Sequence, residues 1–363
     1  MKIILMHQTV TKHDAIGNDI EGMFYILNEN NDCKVYSQNR FNNTLLYIEK
    51  EELNDILNDL NSLIIYHHSV YWEEGEEILK RHKGRVIIRY HNITPPIFFL
   101  KYNLFHYEQC DKGRKQTRRL AREFKNAIWL VDSNYNAEDI IDVEKKRIEI
   151  CPPFNKIEKW AKGKPEEGVL KSLLQDNKIN LLFVGRIAPN KGHLFLLDIV
   201  HNYCINFDTN IKLRIIGKFD DGLKEYNREI TSKITAYGLE NNIEFIGEIN
   251  DSLLISYYLG SDFFLCVSEH EGFCVPIPEA QFFQLPVIAR NISALPETLG
   301  ENQIILDDNI MKYSAAINIL YKNYKYKNFI REYGLRNYNE RFTYTRILER
   351  FKNILENRME VKL

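Results

Sequence analysis

The stretch Phe263-Phe264-Leu265-Cys266-Val267-Ser268-Glu269-His270-Glu271-Gly272-Phe273-Cys274-Val275-Pro276-Ile277-Pro278-Glu279-Ala280 decides how the chain is read. Its apolar opening reads as a buried strand and Gly272 as a turn. Pro276 and Pro278 suit the entry and first turn of a helix, where a missing N–H costs nothing. Glu271 and Glu279 flank that turn. A helix opening offers unpaired N–H groups and partial positive charge to an anion. Carboxylates there repel a phosphate, but they accept hydrogen bonds from hydroxyls attached to one. A nucleotide sugar has that layout, a sugar on one side of a diphosphate and a ribose on the other. Two solvated acids at a helix start are also common, so the pair needs a companion.

The companion lies upstream in Val184-Gly185-Arg186-Ile187-Ala188-Pro189-Asn190-Lys191-Gly192. Arg186 follows the apolar run Leu181–Val184 and is expected at the carboxyl edge of the sheet. Lys191 falls at the beginning of the next helix. Singly each reads as a surface cation; together they can neutralise a diphosphate, Arg through a forked contact and Lys as a point charge.

These two segments resemble the GT-B glycosyltransferases, specifically the retaining glycosyltransferase family four. The resemblance continues through Phe245-Ile246-Gly247, Leu253, Tyr257, Ser261-Asp262, Gln284 to Ala289, and Ala294-Leu295-Pro296-Glu297. It is dense over about residues 180–300. Cys274 stands where many members have glycine, and Gln284 where a small residue is common. The resemblance implies that Glu279 holds the ribose, that Glu271 faces the donor sugar, and that Gly272, Phe273, Cys274 and Val275 contact sugar and phosphate. Lys218 reaches the nucleotide or is a solvated lysine. His91, after the strand Val86–Tyr90, matches the family's first-domain histidine at the reaction centre; the alternative is a histidine capping a strand. His67, His68 and His270 are lesser candidates. Gly17 is expected against the diphosphate, with Asn18 or Asp19 capping the next helix. His91, Glu271, Arg186 and Lys191 form the implied catalytic set. Retention of anomeric configuration is implied by the family. The sequence displays no clear carboxylate nucleophile, so a same-face substitution, with the departing phosphate taking the acceptor proton, is the expected course. No metal and no cofactor is expected; the donor is a UDP- or GDP-linked sugar.

At 363 residues the chain suggests about two domains, and 44% hydrophobic with 27% charged residues is the composition of a globular protein. A net charge of −2 gives no global pull towards nucleic acid. Six cysteines without a Cys-x-x-Cys spacing read as reduced thiols of a cytoplasmic protein. No apolar run is long enough to span a bilayer. Short apolar runs alternate with helical patterns on both sides of a Lys/Glu/Gly/Pro linker after Trp160. The expected architecture is therefore α/β: two facing Rossmann-like domains with an interdomain cleft. Residues 1–165 form the acceptor domain and 170–342 the donor domain, with a last helix at about 343–363 packing back on the first. No Gly-x-Gly-x-x-Gly follows the first strand, which argues against a dinucleotide oxidoreductase.

Residues 111–126 place Arg114, Arg118 and Arg122 on one helical face, after an aromatic-rich segment at 95–107. This face fits an anionic membrane or acceptor phosphates; the bland alternative is a solvated helix over a packed core. The expected activity is transfer of a hexosyl unit to a glycan or lipid-linked acceptor in surface polysaccharide or glycoconjugate synthesis, in the cytoplasm or peripherally on the inner face of the membrane. The rivals are a GT-B-like nucleotide-sugar epimerase, which turns over donor without acceptor, and an inactive nucleotide-sugar-binding subunit.

Overall fold

The computed structural model describes Met1 to Lys12 and Asp14 to Val361; Lys362 and Leu363, at the end of the expected last helix, lie outside the described residues. The chain divides into two compact units. The first comprises Met1–Pro96, Phe105–Lys156 and Tyr344–Leu363, the second Ile97–Leu104 and Ile157–Thr343.

The first unit is built on β1 (Lys2–Met6), β2 (Asp32–Tyr36), β3 (Leu63–His68), β4 (Arg85–Tyr90), β5 (Ile128–Val131) and β6 (Ile148–Ile150). Their order across the sheet is β2-β1-β3-β4-β5-β6, and every pairing is parallel. Parallel strands carry helices on both faces, so their residues are apolar on both sides. Ile3, Leu5, Leu63 and Ile65 pack on one face with the helix Ala15–Leu27 and the final helix Tyr344–Met359. Ile4, Met6, Ile64 and Tyr66 pack on the other. β2 escaped the sequence reading because Asp32-Cys33-Lys34-Val35-Tyr36 is broken by polar residues.

The second unit holds β7 (Ile179–Val184), β8 (Ile211–Ile216), β9 (Ile243–Gly247), β10 (Phe263–Cys266), β11 (Val287–Arg290) and β12 (Ile304–Leu306). The order is β9-β8-β7-β10-β11-β12, again parallel throughout. Strand order reverses between β7 and β10, and in such sheets ligands sit outside the carboxyl ends at that reversal. The two segments singled out in the sequence leave the sheet there. Part of the expected linker is structured: Glu167–Gln175 is a helix that packs on Asp251–Gly260, where Gly260 leaves room for Leu173.

The aromatic segment also departs from expectation. Ile97–Leu104 belongs to the second unit, where Tyr102 donates to Glu229 (2.9 Å) and the Phe98 ring lies 6.2 Å from His270.

Candidate functional site

In the second unit, the loop after β7 is fastened to the loop after β10. The Glu269 N–H donates to the Asn190 carbonyl (2.8 Å), and the Asn190 amide donates to the His270 carbonyl (3.3 Å). Gly192 makes this approach possible. Its φ is +74°, and a Cβ there would lie 2.3 Å from the Val267 carbonyl oxygen. Directly after it begins the helix His193–Asn206.

This fastening brings Lys191 against Glu271, Nζ to Oε1 at 2.6 Å, with the Ser268 hydroxyl donating to the same oxygen at 2.8 Å. The Glu271 N–H is held by Ser293 Oγ (3.1 Å). Lys191 is therefore ion-paired with Glu271 and orients that carboxylate. Glu271 Oε2 takes no hydrogen bond from the described residues, so that oxygen is open to a hydroxyl. Arg186 and Lys218 are both exposed and form no ion pair among the described residues. They stand at matching places, two residues beyond the register pair Val184 and Ile216, and Ile187 N–H bonds the Lys218 carbonyl (3.0 Å). Two uncompensated cations thus lie side by side at the carboxyl ends of β7 and β8.

Glu279 is buried and accepts from the Tyr258 hydroxyl at 2.6 Å. Burial raises its carboxyl to about 7, a rise that the Tyr258 hydrogen bond opposes. The helix it sits on, Pro276–Phe282, is a correction to the sequence picture. It is only seven residues long. The Ile277 and Glu279 N–H groups bond back to the Cys274 and Val275 carbonyls, and Pro276 and Pro278 have none. The helix opening itself has few donors left, which leaves the Gly272–Val275 turn as the backbone facing any anion. Cys274 has φ +75°, a conformation that L-residues adopt at a cost and that a glycine would adopt freely. Its thiol lies 3.4 Å from that of Cys266, and Phe273 is buried beside it.

In the first unit, His91 stands in a buried polar cluster. Its Nδ1 lies 3.2 Å from Asp132 Oδ2 and its Nε2 lies 2.9 Å from His67 Nδ1. Arg89, fully buried, reaches Asp19 Oδ2 through Nε (2.8 Å) and Asp132 Oδ1 (2.8 Å), and donates to the Cys151 carbonyl. Burial lowers the His67 pKa well below the ordinary 6.5, His7 to about 4 and His68 to about 3, so these rings are neutral. Arg89 and Asp132 escaped the sequence reading, and Asp19 entered it only as a possible helix cap. They lie on three separate elements, and Arg89 sits mid-strand, where a charge is conspicuous; that was the available signal.

Gly17 and its neighbours also differ from expectation. The helix Ala15–Leu27 starts earlier and is capped by Asp14, whose carboxylate takes the Gly17 N–H at 2.6 Å. Gly17 makes room for the Thr11 carbonyl, 2.0 Å from where a Cβ would lie. Neither Asn18 nor Asp19 is the cap, and Asp19 turns inward to Arg89 and the Phe154 N–H. On the helix Leu104–Glu123 the basic face is largely compensated: Arg114 pairs with Asp139, Lys115 with Asp111, Arg119 with Glu76 and Arg122 with Asp142. Arg118 is exposed, and Leu120 is in the core. No helix among the described residues is long and apolar enough to cross a membrane.

Comparison with known proteins puts this geometry in context. The family model described as glycosyl transferases group 1 matches residues 167–336. A capsular polysaccharide biosynthesis glycosyltransferase, CapH of Staphylococcus aureus, is 33% identical over 130 residues, 36% of this chain and 34% of that relative. The match thus spans about a third of the curated relative's length. The crystal structure of HepE from Anabaena in complex with UDP-glucose superposes with a TM-score of 0.76 at 16% identity, covering 98% of this chain and all of the other (100%). A glycosyltransferase from Rickettsia africae gives 0.77 at 16% identity, with 99% of each chain covered. The fold is that of the GT-B glycosyltransferases, two parallel-sheet domains.

Proposed function

We propose, for a chain whose residues 167–336 match the family model of glycosyl transferases group 1, that it moves a hexosyl unit from a nucleotide-diphosphate sugar to a glycan or lipid-linked acceptor. The observation that carries this is the Ser268–Lys191–Glu271 arrangement at the strand-order reversal, beside two uncompensated cations. In this reading Arg186 and Lys218 meet the diphosphate, and their charge stabilises it as it leaves. Lys191 fixes Glu271 so that Oε2 accepts from a donor-sugar hydroxyl. Glu279 accepts from the ribose; Gly272, Phe273, Cys274 and Val275 line the sugar and phosphate. His91 serves the transfer from the first unit, and retention through same-face substitution is the proposed course. Gly17, with its N–H taken by Asp14, has a packing role.

The HepE complex with UDP-glucose favours a uridine donor, and the S. aureus relative favours capsular or other surface polysaccharide synthesis. A cytoplasmic location, with no metal or cofactor required, completes the proposal. Contact with an anionic membrane is proposed only through the cations left unpaired on the helix Leu104–Glu123, chiefly Arg118. Flotation at low salt with phosphatidylglycerol liposomes tests that contact, and absence of binding rejects it.

The decisive experiment is a thermal-shift panel of UDP, GDP and their hexose conjugates, since a ligand binding only the folded state raises its stability in proportion to affinity. Stabilisation by one nucleotide sugar, followed by its acceptor-dependent turnover, is the expected result. Turnover without acceptor would indicate an epimerase, and stabilisation by none would reject the donor site.

A further inference from the structure

We propose that Asp132 and His67 are positioning residues that hold His91 as its Nδ1–H tautomer and present its Nε2 lone pair as a hydrogen-bond acceptor; the functional half of this inference rests on the transfer reading above. A carboxylate only accepts, so the contact of 3.2 Å between His91 Nδ1 and Asp132 Oδ2 puts the ring hydrogen on Nδ1. The neutral ring then has a bare Nε2, and His67 Nδ1, 2.9 Å away, donates to it. The His67 Nε2 in turn is bare, and it is buried without a partner. The opposite arrangement would place an N–H at that buried position and strip the hydrogen from the carboxylate contact. Buried orphan donors are rarer than under-used acceptors. His7 follows the same direction, donating from Nδ1 to the His67 carbonyl at 2.8 Å.

Charge explains why the chain is stable. The Arg89 guanidinium spans Asp19 and Asp132, so both carboxylates are compensated inside the unit. Asp19 Oδ2, His67 Nδ1 and His91 Nε2 lie 2.9 to 3.8 Å apart, close enough to hold a metal ion. Yet a divalent ion there would sit beside a buried guanidinium that already bonds the same Asp19 oxygen. It would also expel the hydrogen between the two rings. Like-charge repulsion in a poorly screened interior opposes the first change, and an N–H forced onto the partnerless His67 Nε2 opposes the second, so the cluster is a hydrogen-bonded chain with Arg89 in the place of a cation.

The functional consequence concerns hydrogen-bond polarity. Side chains of Asp19, Arg89 and His67 are fully buried, whereas His91 keeps a 5% exposure. A sugar hydroxyl reaching His91 therefore donates to Nε2 by displacing the His67 N–H, which turns to Asp19 Oδ2, 3.8 Å from His67 Nδ1. A ring held the other way round would repel that hydroxyl proton.

The test uses the full chain labelled with ¹⁵N-histidine. Imidazole nitrogen shifts are expected to show His91 protonated at Nδ1, with Asp132→Asn moving the hydrogen to Nε2. An Nε2–H tautomer in the wild type overturns the proposal. In acceptor-dependent turnover, Asp132→Asn is expected to lower kcat roughly 10²-fold with little change in donor KM. His67→Asn keeps an N–H near the Nδ1 position and is expected to retain most activity, whereas His67→Phe loses about tenfold. Equal kcat for these two His67 variants overturns the proposal even if Asp132→Asn does not fold. Because the tautomer is read without substrate, failure of the transfer reading is distinguishable: the wild type would then show the Nδ1–H ring but no transfer.

Discussion

The two units treat charge in opposite ways. The first turns it inward: Arg89 lies 2.8 Å from both Asp19 and Asp132, a buried ion triad among neutral histidines. Among the described residues, the second leaves Arg186 and Lys218 uncompensated at the carboxyl ends of its strands and buries a single acid, Glu279, against one tyrosine. A sealed network fixes orientation, whereas open cations await a counter-charge. The difference also gives the units different responses to pH.

Acid is expected to produce the largest effect, and mainly in the first unit, which holds three strongly shifted buried histidines where the second holds one, His193. His7, His67 and His68 have folded pKa values below their ordinary 6.5. Their contribution to stability is present above about 6.5 and is lost as pH falls towards the folded values. Between about pH 6.5 and pH 5 this amounts to roughly 4–6 kcal/mol for three such rings. Hydrogen exchange should show β1 and β3 losing protection before β7 and β10; simultaneous loss would erase the contrast. Next in size, Arg89→Met should cost about 3–5 kcal/mol in denaturant titration, because Asp19 and Asp132 would stay buried without their cation. Arg186→Ala should leave stability unchanged and lower transfer by roughly 10²–10³ in kcat.

Glu279 sharpens the contrast from the other side. Its folded pKa is raised from 4.5 to about 7. The stability it contributes is full below about 4.5 and is lost as pH rises through about 7. Glu279→Gln should therefore gain on the wild type between about pH 5 and pH 8, by up to about 3 kcal/mol; a constant difference across that range would show the carboxyl is not shifted. The smallest effect is Ser268→Ala, which removes one hydrogen bond from Glu271 and should cost about 1 kcal/mol of transition-state stabilisation, measured as kcat/KM.

The same contrast explains what could be read from the sequence. β7, β10 and their loops were legible because a continuous apolar run followed by Gly-Arg or by an acid and two prolines is a local pattern. The run Leu181–Val184 lies within the observed strand Ile179–Val184, and the strand expected at Val86–Tyr90 is observed at Arg85–Tyr90. Lys191 and Glu271 were both chosen, but their mutual contact was invisible, since it needs Gly192 to bring two loops together over 80 residues. The helix after Gly272 was read as a donor-rich opening, and the seven-residue length with its turn hydrogen bonds removes most of those donors. Asn18 or Asp19 is expected as the cap because both sit near a helix start; Asp14 outcompetes them by standing where the chain is still extended. The pairing of Asp19 and Asp132 with Arg89 lies in tertiary contacts of residues that no motif links.

Calorimetric titration of UDP and of uridine into the wild type and into the double variant Arg186→Ala/Lys218→Ala tests the central claim most directly. If the second unit grips a diphosphate at the ends of β7 and β8, the variant should bind UDP about 100-fold or more weakly while its affinity for uridine stays the same. Equal UDP affinity in the two proteins would contradict that claim.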